Sequence, residues 1–223
     1  MHFYISTYIS CNMYQNTRKI AVITGDLVNS TELGSDKIKN AFDALKDCAK
    51  TQADWYGAPL HFTRNRGDGW QVIIAIPNMA LRSALAFRAA LRAKGKEFDS
   101  YMGIAEGKVV GEIGSDLNAE TEEVFIASGR NLTSESEFLS GQRIKYKIDA
   151  RAGLILLDKI TQGWTPKQAA TVLLFLNPNK KITQEEASET LDTTHQNVSK
   201  LLRTASFKEI KFMLNHIEDQ LND

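Results

Sequence analysis

Cysteine is scarce: Cys11 and Cys48 are the two in 223 residues. That excludes a disulfide framework and a cysteine-based zinc site, and it makes a reducing compartment the default. Neither sign of charge is in excess, since 27 Lys and Arg balance 27 Asp and Glu. No global basic field therefore advertises nucleic acid, and any such binding has to come from a local patch. Long apolar runs are missing as well. None approaches the ~20 residues of a membrane span, so no membrane partner is expected and the expected location is the cytoplasm. The four histidines, His2, His61, His195 and His216, include none at zinc spacing from a cysteine or from another histidine. There is no internal repeat and no low-complexity segment.

What is present is ordinary globular composition, 43% hydrophobic and 24% charged, in a chain long enough for one large domain or a medium and a small one. Residues 1–17 lack the basic start of a signal peptide, and polar residues interrupt their apolar ones. They read as an N-terminal extension, either a tail or a short extra strand, and Met13 is an alternative start to Met1.

The chain then opens on Lys19 to Thr31, KIAVITGDLVNST. Ile20 to Ile23 is an apolar run of strand character, and it puts Asp26 where the strand ends. Asn29, Ser30 and Thr31 follow at the approach to a helix. A carboxylate at a strand end, followed by small hydroxyl residues near a helix N-terminus, can hold a divalent metal and the phosphates it carries. The alternative is a turn that only caps the helix.

Apolar residues at helical spacing from Ile38 to Ala49 mark that helix over Lys37 to Trp55, with Ser35 as its N-cap. Two β-rich runs, Leu60 to Arg64 and Trp70 to Ile76, flank a loop with Asp68 at its tip and make a hairpin. Asn78 to Lys96 is a second helix with an exposed basic face. Ser100 to Val110 is a strand interrupted by glycines, Val124 to Leu139 a helix carrying Arg130, and Arg143 to Asp149 a last strand. This βαββαβ-type order predicts an α+β, ferredoxin-like domain over residues 18–149, with a mostly antiparallel sheet and helices on one side. From residue 150 to residue 223 the pattern is only helical, and strands stop near Ala150.

Asp26 at a strand end and Asp68 at a hairpin tip form the strongest constellation. Two carboxylates on adjacent strands can bridge Mg²⁺ or Mn²⁺ ions that hold a triphosphate. The local residues resemble the class III nucleotidyl cyclase catalytic domain. That family has a D-I-x-x-S-T strand end, a K-x-x-G-D hairpin, a G-I-x-x-G-x-V strand and a helix with N-x-x-x-R. Here these are Asp26-Leu27-Val28-Asn29-Ser30-Thr31, Arg64 to Asp68, Gly103 to Val109, and Arg130. The resemblance covers roughly residues 18 to 149. It implies that Asp26 and Asp68 hold the metal, that Asn29, Ser30, Thr31 and Arg64 contact a bound nucleotide, and that Arg130 steadies charge on a transferring phosphate. On the residues alone, Arg130 reads equally as a surface arginine. Two positions depart from the pattern. Arg64 replaces the base-selecting Lys, and Ile126 replaces the Asn that orients the ribose and cannot hydrogen-bond. Both count against cyclisation.

Over its whole length the chain is similar to the SatD family. It shares Gly25 to Ser30, the Gly67-Asp68-Gly69-Trp70-Gln71 hairpin, a Thr165-Pro166-Lys167-Gln168 helix start and a Thr183-Gln184-Glu185-Glu186 start to a helix–turn–helix. Gly69 stands where that family has Glu. The similarity implies no established activity.

The helix–turn–helix also stands on its own residues. Ser188 lets two helices approach, Leu191 and Val198 pack them, Asp192 takes a turn position that tolerates positive φ, and Thr194 caps the second helix. Its outward residues are His195, Gln196, Ser199, Lys200 and Arg203. Gln can read adenine edges, while Lys and Arg reach guanine or phosphate. DNA is the expected partner, and the alternative is a helical hairpin that packs on the first domain. Basic and acidic residues balance in this segment, so a homodimer is expected to support affinity. Ile210, Met213, Leu214, Ile217 and Leu221 line one face of the last helix, which either pairs with a second subunit or folds back on its own chain. Trp55, Trp70 and Trp164 read as core or interface residues. The expected whole is a regulator with a nucleotide- and metal-binding sensor domain. An active cyclase is the rival, and a cyclase-like fold used only for protein contacts is the third reading.

Overall fold

The computed structural model describes residues 17–57, 60–65 and 67–220. The expected N-terminal extension, with Cys11 and Met13, lies outside these but for Thr17. Five strands, β1 (Thr17–Leu27), β2 (Phe62–Arg64), β3 (Gly69–Ile74), β4 (Ser100–Val110) and β5 (Ile144–Tyr146), form one sheet in the order β2-β3-β1-β4-β5. Three neighbour pairs are antiparallel, and β4–β5 is parallel. The α+β expectation holds at this level.

β1 is central and buries both faces, which is why its sequence is a continuous apolar run rather than an alternating one. Ala21 and Ile23 point to a core shared with α1 (Ser30–Tyr56) and α2 (Ala80–Lys94). Ile20 and Val22 point the other way, to Val124 and Phe125 of α3 (Glu123–Thr133). Helices therefore cover both faces, which corrects the expectation of helices on one side. The cause lies in β4. Gly103 and Gly107 do not interrupt that strand; they face α3, and a Cβ at Gly103 would run into the Ser128 carbonyl and the Leu132 amide. The two glycines let a helix settle directly on the sheet.

Two other elements are shorter than the residue pattern suggests. α3 ends at Thr133 rather than running to Leu139, and the Lys145 ammonium donates at 2.9 Å to both the Leu132 and Ser134 carbonyls at its end. β5 spans only Ile144–Tyr146. In α1, Gly34 at φ 77° breaks the first turn from the rest, leaving Asn29 to Leu33 as a separate turn above the sheet.

The helical half consists of α4 (Arg151–Gln162), α5 (Pro166–Phe175), α6 (Gln184–Thr190), α7 (His195–Thr204) and α8 (Phe207–Gln220). It does not have a core of its own. Leu154, Trp164, Val172, Leu214 and Ile217 belong to the same buried cluster as Phe42 and Phe87. Strands end near Ala150, but the core continues across that point. The basic face expected to be exposed on α2 is buried. Arg82 pairs with Glu218 at 2.7 Å, Arg88 with Asp158 at 2.7 Å, and Arg92 donates to the Trp164 carbonyl at 2.8 Å. Residues beyond Ala150 supply every one of those acceptors. All three tryptophans are buried, as expected. α8 turns Ile210, Leu214 and Ile217 inward onto its own chain, so this face is not a free subunit surface; Leu221 lies outside the described residues.

Candidate metal and anion site

Asp26 sits at the end of β1 opposite Gly69 of β3 and Tyr101 of β4. Two residues earlier, Thr24 touches Ser128 of α3 at 2.6 Å, so the alternation of the strand turns Asp26 to the α3 face. The backbone beneath it is firmly held. Ser100 Oγ lies 2.8 Å from the Asp26 carbonyl and receives the Trp70 indole N–H at 3.0 Å. Trp70 in turn fills the space beside Gly25, where any Cβ would meet its ring. Gly25 is therefore fixed by packing, and it positions the carboxylate that follows it.

Asp68 reaches the same spot from the β2–β3 turn. The Leu27 amide donates to its carbonyl at 3.3 Å, and the Ser30 hydroxyl donates to its carboxylate. Partial burial and the neighbouring Asp68 charge push the Asp26 carboxyl up to about 6. Asp68 moves the other way, held below the usual carboxylate range chiefly by the Ser30 hydroxyl. Two carboxyls this close repel when both ionise, and a cation between them removes that cost. Among the described residues no group of three or more His, Cys, Asp or Glu side chains could hold a metal. A two-carboxylate site nonetheless suits Mg²⁺, which keeps several waters and is completed by phosphate oxygens. The chemistry of the pair therefore fits the expected ion. Ser30 opens the separate first turn of α1, with Thr31 exposed beside it and Asn29 in the left-handed region at φ 51°. Thus Asp26, Asp68 and Ser30 are brought together, while Thr31 follows Ser30 in the same turn and Asn29 borders a separate depression with Lys37 and Arg143.

Arg64 is engaged elsewhere. It donates to the Gly67 carbonyl at 2.9 Å, and its guanidinium lies 3.9 Å from the centre of the Phe42 ring. Two of its N–H groups thus brace the hairpin that presents Asp68. Arg130 is not at this site either. It is exposed, pairs with Glu123 at 3.1 Å and borders a separate cleft beside Tyr146 and Ile148. Its ion-pair partner is Glu123, not Asp26 or Asp68. Ile126 is exposed on the same helix. The residues that sequence reasoning missed are Ser100, Trp70 and Ser128. Nothing local marks them, since each acts through a partner more than 25 residues away.

At the other end of the molecule, α6 and α7 form the expected helix–turn–helix. Asp192 has φ 46°. Thr183 forms a capping box with Glu186, and Thr194 accepts the Asn197 amide at 3.2 Å. Ser188 and Val198 are buried between the helices. His195, Gln196, Ser199, Lys200 and Arg203 are exposed and line one shallow surface depression.

Compared with models of known protein families this chain matches none, and no curated protein matches it. No helix among the described residues is long and apolar enough to cross a membrane.

Proposed function

We propose that this chain is a cytoplasmic regulator of the SatD type, acting as a homodimer. In this reading it binds DNA through α7 and senses a nucleotide carried by Mg²⁺ or Mn²⁺ at Asp26 and Asp68. The observation that carries the proposal is α7, a helix capped by Thr194 that turns five polar or basic side chains to solvent from a two-helix unit. Lys200 and Arg203 would meet phosphates or guanine edges, and Gln196 adenine edges. The Asp26–Asp68 pair supports the sensor half, because two opposed carboxyls beside a free helix turn suit a metal-bound polyphosphate. When bound, the cation would offset the carboxylate charges and orient phosphate oxygens; the backbone amides of residues 29–31 would then donate to those oxygens while the Ser30 hydroxyl holds Asp68.

Sensing is favoured over turnover. Arg130 borders a different cleft, Arg64 donates to its own hairpin, and Ile126 offers no hydrogen bond. A cyclase would need all three positions to act. The test is a mobility-shift titration on randomised duplex DNA, together with incubation with each nucleoside triphosphate and Mn²⁺. The expected result is a shift lost in the Lys200→Ala/Arg203→Ala double variant, and nucleotide-dependent thermal stabilisation without product. A cyclic product that disappears in Asp26→Ala would replace the sensor by an enzyme. A shift untouched by the double variant would remove α7 as the reading helix.

A further inference from the structure

β4 and β5 run parallel, and the helices that follow them take opposite faces of the sheet. The chain leaving β4 reaches α3, which packs on Val22 and Ala105, whereas the chain leaving β5 enters α4, which packs on the other core. In open sheets a crevice forms at the carboxyl ends of such strands, and ligands bind there. Here the pairing stops at Ile104 opposite Tyr146, while β4 continues to Val110. The strands part and leave a cleft of about 680 Å³ between β4, α3, residues 147–150 and α8. That volume falls within the ~300–1,000 Å³ of small-molecule sites.

The cleft offers three kinds of contact. The first is backbone. The Met102 amide donates across to the Arg143 carbonyl, so alternate residues of β4 direct their peptide groups to the β5 side. Asn131 takes the Ile104 carbonyl at 2.8 Å, so the open edge begins at Glu106, next in that alternation, where β5 has ended. The second is charge. Asp149 and Glu106 present carboxylates, the latter held by Lys19 at 2.6 Å and by the Tyr146 hydroxyl. Arg130 presents a guanidinium whose pairing with Glu123 is solvent-exposed on both sides and so is weakly held. The third is apolar surface from Ala127, Ile148 and Ile217.

We propose that this cleft binds a short peptide with free termini and apolar side chains. Its ammonium group meets Asp149 and Glu106, its carboxylate meets Arg130, its amide continues the ladder on the open edge of β4, and its side chains lie on Ala127, Ile148 and Ile217. Strand addition of this kind draws affinity from main-chain hydrogen bonds and specificity from side-chain pockets. The occupant would touch both α3 and α8. The proposal does not depend on the nucleotide reading, because the cleft shares no residue with Asp26, Asp68 or Ser30.

The test is calorimetric titration of the full chain with L-leucyl-L-leucine, free L-leucine, and the same dipeptide with an acetylated amine and an amidated carboxylate. The dipeptide is expected to bind and to raise the melting temperature, with the capped form at least about tenfold weaker for loss of the charge-assisted contacts. Free leucine should bind weaker than the dipeptide. Ala127→Trp, which fills the cleft, should abolish binding. Arg130→Gln, an exposed change that leaves packing intact, should weaken the free dipeptide but not the capped one. Absence of dipeptide binding to the unaltered protein, equal binding of the capped dipeptide, equal binding of free leucine, or full binding to a folded Ala127→Trp variant would each overturn the proposal.

Discussion

Asp26 is a carboxyl whose folded environment favours its proton, because it is half-buried and faces Asp68. A raised folded value means that its stabilising contribution is complete below its ordinary value of 3.8 and is lost as pH rises through about 6. Asp68 titrates below that window, since its own value is lowered. The difference in stability between the unliganded protein and Asp26→Asn should therefore change as pH rises from 3.8 to about 6, with Asn relatively better at the higher pH. After solvent screening of this half-exposed group, the change is about 1 kcal/mol. Millimolar Mg²⁺ should narrow the gap at the higher pH. Urea unfolding of both proteins at several pH values measures it, and a flat difference would mean that the two carboxyls do not communicate. A second residue-scale prediction concerns Gly103. Its Cβ would meet α3 backbone, which cannot rotate aside, so Gly103→Ala should cost about 1–3 kcal/mol and displace α3. Circular dichroism melts would show this, and an unchanged midpoint would count against the close approach. At this scale the sequence is legible where chemistry is local. Asp26 could be placed because a strand visibly ends there, and Asp68 because it sits at a turn. Arg64 and Arg130 could not be, since the destination of a long side chain depends on partners such as Phe42 and Glu123 that only the fold supplies.

Whole elements were legible to the degree that their signals are written into adjacent residues. The capping boxes at Thr165 and Thr183, the positive φ at Asp192 and the Thr194 cap all follow from residues within four positions of one another. The face that a helix shows its neighbours is not a local property. α2 carries Arg82, Arg88 and Arg92, which alone describe a solvated basic stripe, yet each is at most 8% exposed because α4, the Trp164 turn and α8 bring acceptors to it. The glycines of β4 mislead for the same reason, since helix proximity rather than chain irregularity explains them. For α7 the local signals agree with the packing, which makes its cap a clean probe. Thr194→Ala removes the acceptor of the Asn197 amide and should cost about 1 kcal/mol. Because Val198 anchors the helix independently, the variant should remain folded at room temperature and lose DNA affinity by far less than the Lys200→Ala/Arg203→Ala double variant. A thermal melt and a mobility shift read the two effects separately.

For the whole molecule, the central question is whether the strand-bearing and helical halves are separable. Their compositions differ, and the last strand ends near Ala150, yet the contacts argue for joint folding. Arg88 is fully buried, and its charge is met by Asp99 on one side and by Asp158 on the other, the latter also accepting the Arg143 and Ile144 amides. Arg143 reaches Asp99 at 2.5 Å, and Asp99 O accepts the Val28 amide at the base of the Asp26 loop. On the far side Trp164 donates to the Ala205 carbonyl just beyond α7. The candidate metal site and α7 thus lean on one buried ionic cluster from opposite ends. Removing one member of such a cluster leaves a charge without its counterpart in the interior, which costs about 3–5 kcal/mol. Asp158→Ala should therefore unfold at a markedly lower temperature in a single transition seen alike by tryptophan fluorescence, which reports Trp55, Trp70 and Trp164 together, and by far-ultraviolet dichroism. A fragment ending at residue 149 would strip partners from Arg82, Arg88 and Arg92 at once, and it should not fold cooperatively. Two separated transitions in the full chain, or a fragment with a native-like melt, would show that the halves stand alone and that occupancy at Asp26 has no mechanical route to α7.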